Sequence, residues 1–311
     1  MNNNKIKVLF ITGSGRCGST ILHDILGQID GFSAIGELRY IWERGFIRNR
    51  LCGCQLPFQE CELWRAVVNE AFDSINNVDA QKMFRLTHNF RLYHLFLALF
   101  PYSRIKLTSR FKEYLDNLER LYRAIQTSTR CRLIIDSTKD IQYGYLLQKI
   151  PMIELYIVHL IRDPRAVAYS WSRKKLFEPD IKNFEYMDQK NSIRSSLQWN
   201  ARNIIAEIYL RKKALRYMML RYEDFIKKPQ ESVKRILSMV GEAEADLSFI
   251  KHSKVKINKA NHSVFGNLDR FRTGTVELKI DNEWKAKMKI LDKISVVALS
   301  WPFLLKYRYQ I

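Results

Sequence analysis

A short apolar run, Lys7–Thr12 (KVLFIT), stops at Gly13-Ser14-Gly15-Arg16-Cys17-Gly18-Ser19-Thr20, and Ser19–Gln28 (STILHDILGQ) then carries helical spacing. A buried strand that hands over directly to a helix belongs in a parallel sheet, because crossover helices cover the faces of such a sheet. The alternation recurs further along. Arg132–Asp136 (RLIID) and Glu154–Ile161 (ELYIVHLI) read as buried strands and Arg216–Leu220 (RYMML) as a fourth. Asp163–Lys175 and Gln189–Ala214 read as helices between them. The fold class expected is therefore α/β, with a mostly parallel sheet covered on both faces. Residues 38–129 fit this rhythm poorly. They hold three clustered cysteines and aromatic, basic stretches such as Phe90-Arg91-Leu92-Tyr93-His94-Leu95-Phe96. Within a single domain spanning 1–311, they read as a helical cap or insertion, or else as a helical part of the core.

The glycine-rich turn after the first strand is an anion site by construction. Backbone N–H groups converge there and the helix start adds partial positive charge. Its spacing is P-loop-like, matching G-x₄-G-K-[ST], except that Ser19 stands where the lysine would be. That lysine reaches the β- and γ-phosphates of a triphosphate, so its absence counts against ATP or GTP hydrolysis. Arg16 supplies a cation from elsewhere in the loop, which suits a phosphate followed by a sulfate. A second anion site lies in His159-Leu160-Ile161-Arg162-Asp163-Pro164-Arg165-Ala166-Val167-Ala168-Tyr169-Ser170. Arg162 ends a strand, and Ser170 follows about two helical turns later. Asp163 is a plausible N-cap and Pro164 suits a first turn. Read alone, this segment is also compatible with a capped helix bearing surface arginines.

Together the two sites resemble those of the sulfotransferases that use 3′-phosphoadenosine 5′-phosphosulfate (PAPS). Leu220-Arg221-Tyr222-Glu223-Asp224-Phe225 with Pro229 is similar to that family's Y-E-D segment. His262-Ser263-Val264-Phe265-Gly266-Asn267 with Arg270 is similar to the late loop of many bacterial members, and Cys52-Gly53-Cys54…Cys61 with Trp64 to a further segment of that group. The resemblance runs from about Val8 to Tyr309 and is weakest between Val67 and Arg130. It implies that the first loop binds the 5′-phosphosulfate and that Arg162 and Ser170 hold the 3′-phosphate. Tyr222, Gly266, Asn267 and Arg270 complete the implied cofactor site, and no metal is required. Gly36-Glu37 resembles the place of the proposed base in carbohydrate and tyrosylprotein sulfotransferases. Lys139, in Asp136-Ser137-Thr138-Lys139-Asp140, resembles the lysine that contacts the transferred sulfonate. The expected catalytic residues are Glu37, Lys139 and Arg16. Small-molecule members use a histidine base, which keeps His262 in reserve, while His23 and His159 read as structural.

The chain carries 52 Lys and Arg against 32 Asp and Glu, a net charge of +20. Such a field attracts anions, so the hydroxyl-bearing acceptor is expected to be acidic, although an AT-rich genome that favours lysine is a second source of the excess. Two rivals follow from the same features. Asp136, after an apolar strand, is placed like the magnesium-linked aspartate of a P-loop kinase or NTPase. Basic, aromatic stretches such as Arg104–Lys112 allow a nucleic-acid-binding module, although no recognised nucleic-acid motif is present. The five cysteines are an odd number, which argues against a disulfide framework. Cys52, Cys54 and Cys61 could hold zinc with a fourth ligand from elsewhere, but C-x-C-x₆-C lacks the paired C-x₂-C knuckles of structural zinc sites, so a local loop is the favoured reading. The polar start Met1–Lys5 has no signal-like core. The apolar Val296–Leu305 is interrupted by Ser300 and Pro302. The expected location is cytoplasmic, with peripheral membrane contact left open.

Overall fold

A computed structural model of the chain describes residues 5–90, 109–174, 186, 188–211 and 214–310. Among these, five strands form one parallel sheet in the order β2-β3-β1-β4-β5. They are β1 (Ile6–Gly13), β2 (Phe32–Gly36), β3 (Leu133–Lys139), β4 (Ile153–Ile161) and β5 (Arg216–Arg221). The expected α/β class is the one observed.

β1 is central because its residues are apolar on both sides. Val8 and Phe10 face one way, into a cluster with Trp42, Trp64, Leu118 and Tyr122. Leu9 and Ile11 face the other, onto Leu22, Ile25, Val233 and Leu237. A strand buried on both faces cannot afford the polar alternation of a half-exposed one. The first of those clusters is built largely from residues 38–129, and helix α2 (Glu62–Phe72) there packs along α4 (Ser109–Thr129). α3 (Ala80–Asn89) lies between them in sequence and contacts the π-helical turn Ile41–Ile47.

Two features escaped the sequence pattern. The edge strand β2 is five residues long, contains Ser33 and Ala34, and pairs with β3 alone. A small antiparallel sheet joins β6 (Ile250–Lys251), β7 (Lys254–Ile257) and β8 (Gly274–Glu277). The helix expected over Gln189–Ala214 is regular over Ser192–Ile205 and loosens into a π turn at Ala206–Leu210. The terminal apolar run lies in a helix, Ile290–Lys306, that continues through Pro302. Leu304 and Tyr307 pack against Trp199. Among the described residues no helix is long and apolar enough to cross a membrane. Of the stretches singled out above, Arg91–Phe96 and Arg104–Thr108 lie outside the described residues.

The parallel topology brings the carboxyl ends of β1, β3 and β4 side by side. Open parallel sheets bind ligands in the crevice at that edge.

Candidate active site

The turn after β1 is shaped by backbone conformations that side chains resist. Gly13 and Gly18 have φ of 150° and 93°. A Cβ at Gly18 would lie 2.4 Å from the Tyr222 ring, and one at Gly13 would lie 2.3 Å from the Leu160 carbonyl oxygen. Gly18 caps helix α1 (Ser19–Leu26) with no side chain of its own, leaving the first-turn amides directed into the crevice. Arg16 itself sits at φ 69°, a left-handed conformation that costs a non-glycine residue about 1–2 kcal/mol. Its guanidinium lies 4.8 Å from the centre of the Trp171 ring. Burial lowers its pKa, and the charge of Glu37 works in the opposite direction.

Arg162 follows β4 and is held on three sides. Its Nη1 donates to the Arg16 carbonyl (3.2 Å), its Nη2 to Asp281 (3.3 Å), and its guanidinium lies 4.7 Å from the Tyr222 ring centre. Its backbone is fixed as well. The Trp199 indole donates to its carbonyl at 3.0 Å, and the Glu223 carboxyl accepts the next amide, Asp163 N, at 3.0 Å. Burial pushes the Glu223 carboxyl above the usual carboxylate range, while the Asp163 amide and the Tyr309 hydroxyl draw it back. Asp163 caps the helix Pro164–Ser172 by accepting from Arg165 N at 2.8 Å, with Pro164 in its first turn. Ser170 is buried in the second turn of that helix and faces the same cavity as Arg162.

At the end of β3, Lys139 donates to Glu37, which follows β2. The pair is nearly closed to solvent, with side chains 14% and 10% exposed. Burial raises the Glu37 carboxyl, and the ammonium of Lys139 is the largest influence pulling it down. A buried chain of contacts positions this carboxyl. Gly36 N donates to His23 Nε2 (2.8 Å), so the ring proton is on Nδ1, which faces Asp24 (3.2 Å). Asn261 in turn donates to Asp24 at 2.9 Å. His159 is buried elsewhere, between Tyr217 (2.5 Å) and Asn203 (2.8 Å), with its pKa pushed down to about 4 by burial. It takes no part in this site.

One cavity of about 750 Å³ unites these parts, with Ser14, Gly15, Arg16, Gly18, Ser19, Thr20, Glu37, Lys139, Arg162, Ser170, Tyr222, Gly266 and Asn267 in its wall. The model of the sulfotransferase family matches residues 9–246. The chain belongs to that family. Among solved structures it is similar to a sulfotransferase domain from the curacin biosynthetic pathway. That match has 15% identity and a TM-score of 0.51, and covers 98% of this chain and 99% of that one. A sulfotransferase from Alicyclobacillus acidocaldarius is more distant, with 12% identity and a TM-score of 0.36 over 97% and 96% of the two chains. Among curated proteins none matches the chain in sequence.

In this sulfotransferase the expected site residues do not all face the cavity. Gly13 shapes the turn from beneath, and the Cys17 side chain is fully buried in the core behind it. Arg270 is 2% exposed and donates to the Gly266 carbonyl at 2.9 Å, so it braces the late loop instead of lining the site. His262, the reserve base, lies with its Nδ1 3.4 Å from the Cys61 sulfur and is absent from the cavity wall. Asp136 is also outside it. This carboxyl is fully buried, accepts from the Tyr122 hydroxyl at 2.5 Å and from Thr138 N at 2.8 Å, and is pushed up to about 6 by burial. Several wall residues were not foreseen: Arg44, Trp171, Lys190, Arg202 and Asp281. They come from helices and loops far apart in sequence, and no short motif links them.

Proposed function

We propose that this sulfotransferase moves a sulfuryl group from PAPS to an acceptor hydroxyl. The observation that carries the reading is that one cavity wall holds the β1 turn, Arg16 and Lys139 together with Arg162 and Ser170. Its volume of about 750 Å³ lies within the range of about 300–1,000 Å³ usual for ligands of nucleotide size. The donor supplies an activated sulfuryl group on a good leaving phosphate, so the chain has to provide a base, cations around the sulfonate and donors for the departing phosphate. Glu37 takes the proton of the acceptor hydroxyl while that oxygen bonds to sulfur. The sulfur–oxygen bond to the phosphate breaks, and adenosine 3′,5′-bisphosphate departs. Lys139 and Arg16 lower the cost of charge on the transferred group and the bridging oxygen, and the loop amides hold the 5′-phosphate.

Arg162 and Ser170 hold the 3′-phosphate in this scheme. Asp281, now paired with Arg162, yields its place to the more highly charged ligand. Arg162→Ala is expected to weaken adenosine 3′,5′-bisphosphate by about 10–100-fold, the cost of one lost charge-assisted contact. Adenosine 5′-phosphosulfate, which lacks the 3′-phosphate, loses much less. Calorimetry with the two ligands decides it, and equal losses would remove Arg162 from this role.

The acceptor is an anionic hydroxyl compound, a carbohydrate, lipid or other small molecule. Lys190 and Arg202 in the cavity wall favour negative charge there, whereas Arg44 and Arg48 pair with Glu43, Arg272 with Asp269 and Lys279 with Glu277. A mass-resolved screen of transfer from PAPS across sugars, lipids and phenols tests this, and a marked preference for neutral acceptors counts against it. Binding of ATP–Mg²⁺ in place of the bisphosphate would favour a kinase instead. The burial of Asp136 beneath Tyr122 and away from the cavity speaks against that reading.

A further inference from the structure

The segment Cys52–Cys61 and the late loop beginning at Asn261 meet outside the cavity wall. His262 Nδ1 lies 3.4 Å from Cys61 Sγ and 3.6 Å from Cys52 Sγ, and Cys54 Sγ lies 3.6 Å from Cys61 Sγ. All four ligand atoms fall within 4.8 Å of one another. A tetrahedral zinc ion, with bonds of about 2.3 Å to sulfur and about 2.0–2.1 Å to nitrogen, holds its ligand atoms about 3.5–3.8 Å apart. The observed spacings are those of groups sharing one ion. They are also far from the S–S separation of about 2.05 Å in a disulfide, and all three cysteines are free.

We propose that Cys52, Cys54, Cys61 and His262 bind a structural Zn²⁺ ion. The surroundings are arranged as an outer shell. Backbone amides of Cys54, Leu56 and Trp64 lie close enough to the sulfurs of Cys52, Cys54 and Cys61 respectively to favour their thiolate forms. The Trp64 indole donates to the His262 carbonyl at 2.9 Å and His262 N donates to the Ala34 carbonyl at 3.2 Å, which fixes the imidazole from behind. Gly53 lets the two segments close together, since a Cβ there would lie 2.2 Å from Asn261 Oδ1. Three cysteines and a histidine fill a tetrahedron, so no position stays open for a reacting water, and the ion is structural. The spacing C-x-C-x₆-C left the fourth ligand unidentified because it lies 201 residues beyond Cys61.

The ion ties the cysteine loop to the segment that closes the site. Immediately after His262, Ser263 fits against Gly36, and Phe265 stacks on Tyr40 at 4.1 Å between ring centres. Gly266, next in the chain, forms cavity wall beside Glu37. Metal loss therefore loosens the wall next to the carboxyl without touching Arg162 or Lys139.

The test uses the full chain, purified without chelator and analysed for metal by mass spectrometry. About one zinc per chain is expected, the stoichiometry of one four-ligand site. Cobalt(II) exchanged into the protein is expected to show the intense visible bands of tetrahedral coordination and a thiolate-to-metal charge-transfer band. Cys54→Ser, at the half-buried ligand, is expected to weaken Zn²⁺ binding by at least about 100-fold, beyond the 10–100-fold typical of outer-shell losses. Purified protein that contains no zinc and takes up neither added Zn²⁺ nor Co²⁺ would overturn the proposal, as would an octahedral cobalt spectrum. Should Cys54→Ser fail to fold, the metal content and cobalt spectrum of the unaltered protein decide the matter alone.

Discussion

Lys139→Ala is expected to lower the turnover of sulfuryl transfer by about 10²–10³-fold, the usual cost of removing one preorganised donor from developing charge. The substitution should leave the fold intact. Lys139 is the last residue of β3, where its carbonyl accepts from the Thr12 hydroxyl at 3.1 Å and its backbone pairs beside β1. None of those contacts uses the side chain. The ammonium carries two duties at once, because it also holds Glu37. Without it burial, the largest influence on the Glu37 carboxyl and one that raises its pKa, is opposed only by the weaker pull of His23 and Arg270. Charge stabilisation and the deprotonated fraction of the base therefore fall together. Arg16→Ala is expected to lose activity on a similar scale. The double variant should lose less than the product of the two, since both act on one transition state. Steady-state transfer from PAPS, with circular dichroism to verify folding, measures all three. Near-normal turnover in both single variants would remove the mechanism.

The sheet and the glycine-rich loop were legible because each has a local signature. KVLFIT followed by three glycines within six residues states a buried strand and a tight turn without help from distant contacts. The placement of Arg162 after a strand and of Ser170 on the next helix was legible for the same reason, with Asp163 and Pro164 announcing that helix. What stayed hidden depends on contacts across the chain. β2 is an edge strand with Ser33 and Ala34 in it, and only its pairing to Leu133–Asp136 makes it a strand. Glu223 looks like part of a short acidic motif, yet it acts by accepting the Asp163 amide 60 residues away. His262 is the sharpest case. As a lone histidine before a glycine-containing loop it reads as a reserve base. Only the folded chain turns its Nδ1 toward cysteines about 200 residues earlier. The basic wall of Arg44, Lys190 and Arg202 was legible as net charge but not as position.

Glu37→Gln separates a true base from a group that only orients the acceptor. If Glu37 takes the proton, the amide is expected to lower turnover by about 10²–10⁴-fold. Bisphosphate affinity should stay within a few-fold, because Glu37 lies on the acceptor side of Lys139 in the proposed scheme. The pH profile carries the more specific signature. A base must be deprotonated to work, so wild-type turnover falls as pH drops through the pKa of Glu37, which burial raises above the ordinary carboxylate range. When a sulfonate draws Lys139 away, the main influence lowering that pKa weakens. The acid limb of turnover should then lie at higher pH than the limb set by the free protein. In the Gln variant no carboxyl remains to titrate, and the acid limb assigned to Glu37 disappears. An orienting role predicts otherwise. The amide oxygen would still accept from Lys139 and still face the acceptor, so most of the turnover and any acid limb would survive. His262 offers no substitute explanation for that limb, since its imidazole is turned onto Cys52 and Cys61 and away from the cavity.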